Sequence, residues 1–351
     1  MMAAWEENVR RVIPYTPGEQ PKERDIVKLN TNENPYPPSP MVLEAVSAVD
    51  VDGYRKYPAP DAGSLVSAIA KNYGVEEENV FVGVGSDDVL AMSFLTFFDS
   101  DKKLLFPDVT YSFYDVWADL FNIKYETVPL DDDFRIRAED YFCDNGGIIF
   151  PNPNAPTGVA MAVPEIERIV KNNPDSVVIV DEAYVDFGCE SALPLTKKYD
   201  NVLVVQTFSK SRSMAGASIG FALGDAKLIK YLNDVKFSFN SYTMSATALA
   251  AGVAAVSDRE YFEDTVSKII ATREKYKKEL KRLGFSFPDS RSNFIFARHD
   301  KKHARDIFEF LKKNGIFVRY FDKPRIDEYI RITVGTDAQM ERLINTLEGF
   351  L

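Results

Sequence analysis

The sequence predicts an α/β protein: a large domain with a mainly parallel central sheet flanked by helices, plus a smaller α+β domain. Short runs rich in Val and Ile alternate with helix-like stretches, and these runs are apolar on both faces, as strands inside a parallel sheet require. The chain has 351 residues, a length that favours two domains over one. After Gly284 the pattern changes to that of a separate α+β unit.

The strand candidates of the large domain lie between residues 80 and 223. In chain order they are 80–84, 103–106, 147–150, 176–180, 201–206 and 220–223. Amphipathic stretches connect them and are predicted to form crossover helices: 87–98, 112–121 and 164–172, the last with Pro at its first helical position.

Two further helices are predicted after the last of these strands. A helix of small residues covers 243–256, and a longer charged helix covers 258–283. The longer helix is followed by Gly284, a residue type common just beyond helix ends, and we expect it to bridge the two domains.

The start of the chain is predicted to form an ordered arm that packs elsewhere. Its NENPYPPSP segment contains too much Pro and Asn for regular structure. We therefore divide the chain into an N-terminal arm at 1–28, a large domain at 29–250 and a small C-terminal domain at 251–351.

Composition excludes several classes of function. The net charge of -11 argues against nucleic-acid binding, which needs an excess of Lys and Arg, so an anionic substrate would require locally placed Arg. The cysteines, Cys143 and Cys189, form neither a disulfide framework nor a metal-ligand spacing. We find no signal peptide and no apolar run of the roughly 18 residues that a membrane span needs. We therefore expect a cytoplasmic protein without metal or membrane partners.

Lys210 is the first candidate for chemistry. It follows the 201–206 strand in the turn TFSKSRSMAG, and ligands of open α/β sheets bind beyond the carboxyl ends of strands. A lone Lys is usually a solvated surface residue. However, Asp181 closes the neighbouring SVVIVD run and should emerge at the same edge, where an acid can pair with the protonated nitrogen of a pyridoxal ring. Alone, Asp181 could equally be a turn or helix cap.

Other strand ends supply further residues of the types that a pyridoxal site needs. The turn GVGSDD at 83–88 opens a helix, so its N–H groups can bind a phosphate, although such Gly turns more often serve geometry. Tyr111 could stack on a planar ring, and Tyr184 could donate to a phenolic oxygen. The PNPNAPTG segment at 151–158 predicts a stiff loop at the cleft edge. Each feature is ordinary alone, but together they indicate one site.

The order of GSDD, TYSFY, NPNAPTG, DEAY and TFSKSRS resembles that of the class I and II aminotransferases of fold type I, over nearly the whole chain. KLNTNENPYPPSP and YIRITVGT are similar to the histidinol-phosphate aminotransferases of that family. The resemblance implies a pyridoxal-phosphate-dependent enzyme of histidine biosynthesis. It would transaminate L-histidinol phosphate with 2-oxoglutarate, giving imidazole-acetol phosphate and L-glutamate.

The resemblance also implies a role for each matching residue. Lys210 would carry the cofactor as a Schiff base, Asp181 would pair with its ring nitrogen, Tyr184 would lie near its phenolic oxygen and Tyr111 would stack on its ring. The remaining implied residues are the phosphate-binding Gly85, Ser86, Asp87, Thr207 and Ser209, the substrate-facing Tyr15, Asn32, Arg319 and Arg331, and Tyr57, which would reach the phosphate site of a neighbouring subunit in a homodimer. Arg can bind a phosphate or a carboxylate through two parallel hydrogen bonds, so Arg319 and Arg331 could serve both substrates.

The chain departs from the family pattern at two positions. Ala155 stands where the family usually has an Asn that donates to the cofactor, and Asn154 is a candidate substitute. Ser218 stands where the family usually has a phosphate-binding Arg, so weaker cofactor affinity is expected. Arg212 could compensate, but we interpret it as a solvated helix residue.

Alternatives within the fold are an aromatic amino-acid aminotransferase and a decarboxylase of an amino-alcohol phosphate, since both would use the same cofactor residues. An alternative of another class is a pyridoxal-binding regulatory module. Such regulators need a basic DNA-binding module, which this acidic chain does not show.

Overall fold

A computed structural model describes residues 4–22 and 25–351 of the chain. Residues 1–3, 23 and 24 of the predicted arm lie outside the described residues. The strands are β1 Val27–Lys28, β2 Val80–Gly83, β3 Leu104–Pro107, β4 Tyr125–Val128, β5 Gly147–Pro151, β6 Val178–Asp181, β7 Val202–Thr207, β8 Gly220–Gly224, β9 Phe285–Ser286, β10 Phe294–His299, β11 Ile316–Phe317, β12 Arg319–Tyr320 and β13 Ile330–Thr333. The helices are α1 Pro40–Ser47, α2 Gly63–Tyr73, α3 Ser86–Phe97, α4 Tyr114–Phe121, α5 Val163–Asn172, α6 Leu193–Thr196, α7 Ala226–Phe239, α8 Ala246–Ser257, α9 Arg259–Arg282, α10 Ala304–Lys313 and α11 Asp337–Glu348.

The central sheet has the strand order β2-β8-β7-β6-β5-β3-β4. Strands β4, β3, β5, β6 and β7 pair in parallel, whereas β8 runs antiparallel to both of its neighbours. The predicted α/β class with a mainly parallel sheet is confirmed. The six predicted strands are confirmed as β2, β3, β5, β6, β7 and β8, with small shifts at their ends.

The middle of this sheet is apolar on both faces. Val178 to Val180 in β6 and Val202 to Val205 in β7 are 0% exposed. Each such side chain stabilises the fold by about 1.5–3 kcal/mol when it leaves water. Strand β4 was not predicted, because its sequence YETV exposes two polar residues at the edge of the sheet and makes no apolar run.

The strand register decides which residues meet at the carboxyl edge of the sheet. Pro151 at the end of β5 lies beside Asp181 at the end of β6, and Asp181 lies beside Val205 in β7. Strand β7 runs two residues further, to Thr207, and the chain then turns. The segments after β5, β6 and β7 therefore leave the sheet at one edge.

The predicted helices are confirmed as α3, α4, α5, α8 and α9. Gly284, beyond the end of α9, has φ 85°, as expected for a glycine that follows a helix. The first half of α9 packs Val266 and Ile269 against Phe187, which follows β6, and its second half packs Tyr276 against the core of the C-terminal sheet. Helix α9 thus packs against both the segment that follows β6 and the C-terminal sheet, and its role as a bridge between domains stays a prediction.

The C-terminal sheet is antiparallel, with the order β12-β13-β10-β9. In the register of β12 and β13, Arg319 lies opposite Arg331. Strand β1 of the predicted arm pairs in parallel with β11, so the start of the chain is attached to this C-terminal part.

The division into arm, large domain and small domain stays a prediction. The boundary at 250/251 falls inside α8, and residues on both sides of it, such as Leu249 and Ala251, belong to one apolar cluster with α2. In residues 4–22 and 25–351, no helix is long and apolar enough to cross a membrane.

Candidate active site

A cleft lies at the carboxyl edge of the central sheet and is closed on its other side by the C-terminal sheet and the N-terminal segment. It is lined by Tyr15, Gly18, Asn30, Thr31, Asn32, Ser86, Asp87, Tyr111, Pro151, Ala155, Asp181, Ala183, Tyr184, Ser209, Lys210, Arg319 and Arg331. Most of the residues singled out from the sequence are therefore brought together in one cavity.

Lys210 lies three residues beyond the end of β7, in the turn that the sequence places there. Its Nζ donates to the carbonyl oxygen of Thr31 (3.3 Å) and lies 5.9 Å from the centroid of the Tyr184 ring. The side chain is partly buried. The amine is thus held loosely, by one long hydrogen bond, within the cleft.

Asp181 ends β6 and is 4% exposed. Its Oδ2 accepts from the Tyr114 hydroxyl (2.8 Å) and its Oδ1 accepts from the Ala183 N–H (3.2 Å). Burial raises the pKa of Asp181 to about 6, although these two hydrogen bonds lower it. A cationic group in the cleft would therefore stabilise the carboxylate.

The turn after β2 presents the start of α3 to the cleft. Gly85 precedes α3 with φ 86°, a left-handed conformation that favours glycine, and Ser86 and Asp87 form the first turn of the helix. A Cβ on Gly220, in β8, would lie 2.3 Å from the carbonyl carbon of Gly85 and 2.3 Å from the nitrogen of Ser86. The backbone of β8 thus lies directly against this turn. The N–H groups at such a helix start can bind a phosphate.

The Asp87 carboxylate already has a partner, because the Tyr111 hydroxyl donates to its Oδ1 (2.8 Å). Burial raises the pKa of Asp87, whereas this hydrogen bond and the charge of Lys210 lower it. Asp87 therefore orients Tyr111, and the group it could offer a phosphate is its backbone N–H.

Asn32 holds the Tyr184 hydroxyl in place. Its Nδ2 donates to the Tyr184 oxygen (2.9 Å), and its Oδ1 accepts from the Thr333 hydroxyl (3.1 Å). The residue has φ 56° and is 1% exposed. Because both polar atoms of its side chain have partners, Asn32 acts on the cleft through Tyr184.

Arg319 and Arg331 form a cationic wall opposite the sheet edge. Arg331 donates through Nη2 to the Asn30 carbonyl (3.1 Å), whereas its Nε is buried and has no hydrogen-bond partner among the described residues. Arg319 donates weakly to the Thr16 carbonyl (3.5 Å). Burial lowers the pKa of Arg331, and the charge of Arg319 lowers it further. An anion bound between them would raise the pKa of Arg331 again, because its negative charge stabilises both guanidinium groups.

Asn30 is a cleft residue that sequence reasoning missed. It is 3% exposed, and its Nδ2 donates to the Glu19 carbonyl (2.8 Å). Its Oδ1 is buried and has no partner in the described part of the chain, so an acceptor is available beside Arg331. The available signal was the LNTN stretch itself, which carries a second Asn two residues before Asn32.

Four of the predicted site residues do not line this cleft: Tyr57, Thr207, Asn154 and Gly85, whose turn is described above. Tyr57 is 80% exposed and stacks on Tyr242, with 4.5 Å between ring centroids. Thr207 is buried, and its hydroxyl accepts from the Ser209 N–H (3.1 Å). Asn154 is also buried, and its Nδ2 donates to the Val109 carbonyl (2.9 Å). The cleft wall at this point is formed by Ala155.

Two further positions singled out from the sequence, Ser218 and Arg212, also lie outside the cleft lining. Ser218 is exposed and has φ 51°. Arg212 is 8% exposed, donates through Nη1 to the Ala255 carbonyl (2.8 Å) and lies 4.2 Å from the centroid of the Phe262 ring. The interpretation of Arg212 as a solvated helix residue is wrong, since it lies in a turn and packs inside the protein.

Comparisons with known proteins agree on a single family. The family described as Aminotransferase class I and II matches residues 24–347. The histidinol-phosphate aminotransferase of Acinetobacter baylyi is 52% identical over 353 residues, which cover 100% of this chain and 98% of that protein. That of Clostridium beijerinckii is 51% identical over 352 residues, covering 100% and 98%.

A solved structure has the same fold. It is histidinol-phosphate aminotransferase from Sinorhizobium meliloti in complex with pyridoxal-5'-phosphate, with a TM-score of 0.85 and 25% identity. The match covers 93% of this chain and 92% of that one.

The contact between β8 and the turn before α3 can be tested with glycine substitutions. In Gly220→Ala, the added methyl would overlap the backbone of Gly85 and Ser86 and displace the helix start. We expect the Kd for pyridoxal phosphate to rise at least about tenfold, or ~1.4 kcal/mol. Absorbance titration of the protein freed of cofactor measures this. Gly216→Ala is the control, because a Cβ there meets nothing within 4 Å. Unchanged affinity in Gly220→Ala would show that this turn does not hold the cofactor.

Proposed function

This chain belongs to the class I and II aminotransferases, and we propose that it transfers the amino group of L-histidinol phosphate to 2-oxoglutarate, giving imidazole-acetol phosphate and L-glutamate. The observation that carries the proposal is the content of one cleft: the Lys210 amine, the buried Asp181 carboxylate and the Arg319–Arg331 pair. The relatives named histidinol-phosphate aminotransferase, with 51% and 52% identity over nearly their whole length, support this choice of substrate.

Pyridoxal phosphate is the cofactor, and its chemistry is to link amines covalently through its aldehyde and to withdraw electrons through its protonated ring. The residues present fit this group. Asp181 is a buried acid whose carboxylate would gain from a cationic ring nitrogen. The N–H groups at the start of α3 suit the phosphate, and Tyr111 and Tyr184 are planar neighbours of Lys210 in the cleft.

Lys210 would hold the cofactor between turnovers and act as the general base during them. Its Nζ would bind the aldehyde of the cofactor and, when free, would serve as the general base for the proton at Cα of the substrate. The loose contact of Nζ with Thr31 is compatible with such movement. Asp181 would keep the ring nitrogen protonated throughout, because a buried carboxylate stabilises an adjacent cation.

Arg319 and Arg331 would bind the anionic end of each substrate in turn. Histidinol phosphate carries a phosphate ester where an amino acid carries its α-carboxylate, and 2-oxoglutarate carries two carboxylates. A guanidinium can bind either group with two parallel hydrogen bonds. The unpartnered Nε of Arg331 is a donor that such an anion would satisfy.

Ala155 and Ser218 differ from the usual residues of the family at these positions, and the differences bear on how tightly the cofactor binds. Ala155 puts a methyl group in the cleft wall, and Asn154 is engaged with Val109. No Arg other than Arg319 and Arg331 lines the cleft within the described ranges. We therefore keep the expectation that the cofactor phosphate is held less tightly than in relatives with an Arg at position 218.

We propose a homodimer in which Tyr57 completes the partner's phosphate site. Tyr57 does not line the cleft of its own chain and is 80% exposed. Large apolar side chains are exposed in the segments around it and around its stacking partner: Met41, Leu43, Val46, Val51, Tyr54, Phe239 and Tyr242. Exposed apolar groups of this kind typically mark a protein interface.

The role of Lys210 predicts the result of removing its amine. Lys210→Ala should fold normally, because the amine makes one long hydrogen bond, yet multiple turnover should fall by at least about a thousandfold. Steady-state assays and thermal unfolding measure the two properties. The exposed Lys227→Ala is the control. Multiple turnover at a near-normal rate in Lys210→Ala would refute the assignment.

The choice of substrate can be read from a single half-reaction. Mixed without an acceptor, the cofactor-loaded protein should react with histidinol phosphate at a kcat/KM at least about a hundredfold above that for phenylalanine, or ~2.7 kcal/mol. Stopped-flow absorbance of the cofactor measures both reactions. Preference for phenylalanine would instead support the aromatic aminotransferase.

The shared site predicts complementation between two defective chains. Tyr57→Ala and Lys210→Ala should each be weakly active alone, but a mixed dimer would contain one site with both residues intact. We expect activity after subunit exchange to exceed the sum of the two parents. A protein that sediments as a monomer, or exchanges without gaining activity, would contradict this arrangement.

A further inference from the structure

The turn that carries Lys210 is held from behind by a carboxylate that does not reach the cleft. Ser211, the next residue, is 2% exposed, and its hydroxyl donates to Oδ2 of Asp186 (2.5 Å). Asp186 belongs to the segment that follows β6, whereas Ser211 belongs to the segment that follows β7. This hydrogen bond, which we term the Ser211–Asp186 clasp, therefore joins two adjacent loops of the site.

The polar residues at the end of β6 and in the segment after it fall into two groups, those that line the cleft and those that do not. Asp181 and Tyr184 line the cleft, but Glu182 and Asp186 do not. Glu182 accepts hydrogen bonds from Ser191 (2.7 Å), the Ala192 N–H (2.6 Å) and Gln206 (2.8 Å), so its contacts do not include the Lys210 turn. Asp186 is thus the acid of this segment that bonds to the turn carrying the lysine.

The Lys210 turn is fixed on its other side as well. Nδ2 of Asn34 donates to the carbonyl oxygens of Lys210 (3.0 Å) and Ser211 (3.2 Å). The backbone at Lys210 therefore lies between Asn34 and Asp186, while the amine donates one long hydrogen bond, to Thr31, among the described residues. The backbone of this turn is thus fixed by more hydrogen bonds than the end of the Lys210 side chain.

Two partners oppose the effect of burial on Asp186, whose pKa is raised overall. Burial raises the pKa of Asp186, whereas the Ser211 hydrogen bond and the charge of Arg212 lower it. Arg212 is itself fixed by the Ala255 carbonyl and the Phe262 ring. A hydrogen bond to a carboxylate is roughly twice as strong as one between neutral groups, so the clasp resists displacement of the turn.

We propose that Asp186 is a positioning residue which, through Ser211, fixes the Lys210 backbone relative to the loop that carries Asp181 and Tyr184. The inference rests on the proposed function, because it concerns the base of that reaction. A base that moves a proton between two atoms depends on its placement, and an error of about 1 Å can cost up to a hundredfold in rate. The clasp sets this placement without touching the cofactor or the substrate.

A double-mutant cycle on the cofactor-loaded protein tests the clasp. Asp186→Asn and Ser211→Ala should each lower kcat for histidinol phosphate about tenfold and change KM by less than about threefold. The double variant should be no worse than either single variant, because both substitutions break the same interaction. Additive losses, or a loss that falls on KM alone, would overturn the proposal.

A spectroscopic readout separates positioning from general destabilisation. In both single variants, the pH midpoint of the absorbance change of the Lys210-bound cofactor should shift by roughly 0.5 unit in the same direction. Glu182→Gln is the matched control: a buried acid of the same segment whose substitution should lower thermal stability but leave the midpoint and kcat as in the wild type. An equal shift in Glu182→Gln, or none in the clasp variants, would contradict the proposal.

The outcomes also distinguish failure of the clasp from failure of the proposed function. If the wild-type protein prefers phenylalanine, the substrate is wrong, but the cycle and the pH midpoint can be read with phenylalanine instead. If the loaded wild-type protein shows no bound cofactor at Lys210, the function fails and the proposal fails with it. If Asp186→Asn does not fold, Ser211→Ala still tests the proposal, because it removes a single oxygen atom. Its kcat and its pH midpoint are then the two readouts.

Discussion

The parallel pairing of β5, β6 and β7 is the constraint on which the rest of the site depends. It places Pro151 beside Asp181, and it brings the turn after β7 to the same edge, so that Lys210 shares a cleft with an acid 29 residues earlier in the chain (210 − 181). The apolar residues of β6 and β7, 0% exposed, are packed on both faces, so a shift by one residue would disrupt the close packing on each face. A buried, strictly registered sheet thus determines the chemistry at its edge.

The cleft carries a buried acid on one side and two cations on the other, and bound groups of opposite charge would pair with each. At the sheet edge, Asp181 is a buried acid that a cationic ring nitrogen would stabilise. On the opposite wall, the buried Nε of Arg331 is a donor without a partner in the described residues. The buried Oδ1 of Asn30 is likewise an acceptor without a partner there. Unsatisfied buried groups cost about 1–3 kcal/mol each, so a ligand that pairs with these two atoms would recover that free energy on binding. A cofactor with a cationic ring and a substrate with an anionic end match this polarity.

The sequence predicts the sheet and the identity of the strand ends better than the directions of the loop side chains. Apolar runs identify buried strands, and Lys210 and Asp181 follow from the edge at which those strands end. Strand β4 was missed because an exposed edge strand carries polar residues. Asn154 and Arg212 could not be placed, because side chains in turns follow no period: one bonds to Val109 and the other packs on Phe262. The pairing of Ser211 with Asp186 joins two loops and likewise needs the folded structure.

The central claim is that the Lys210 amine is the covalent attachment point of pyridoxal phosphate. The most direct measurement is borohydride reduction of the cofactor-loaded protein, followed by proteolysis and mass spectrometry of the labelled peptide. The account predicts a pyridoxyl group on Lys210, in the peptide that contains TFSKSRS, and no such label at that position in Lys210→Ala. A stoichiometric label on another lysine, or no label in the wild-type protein, would contradict it.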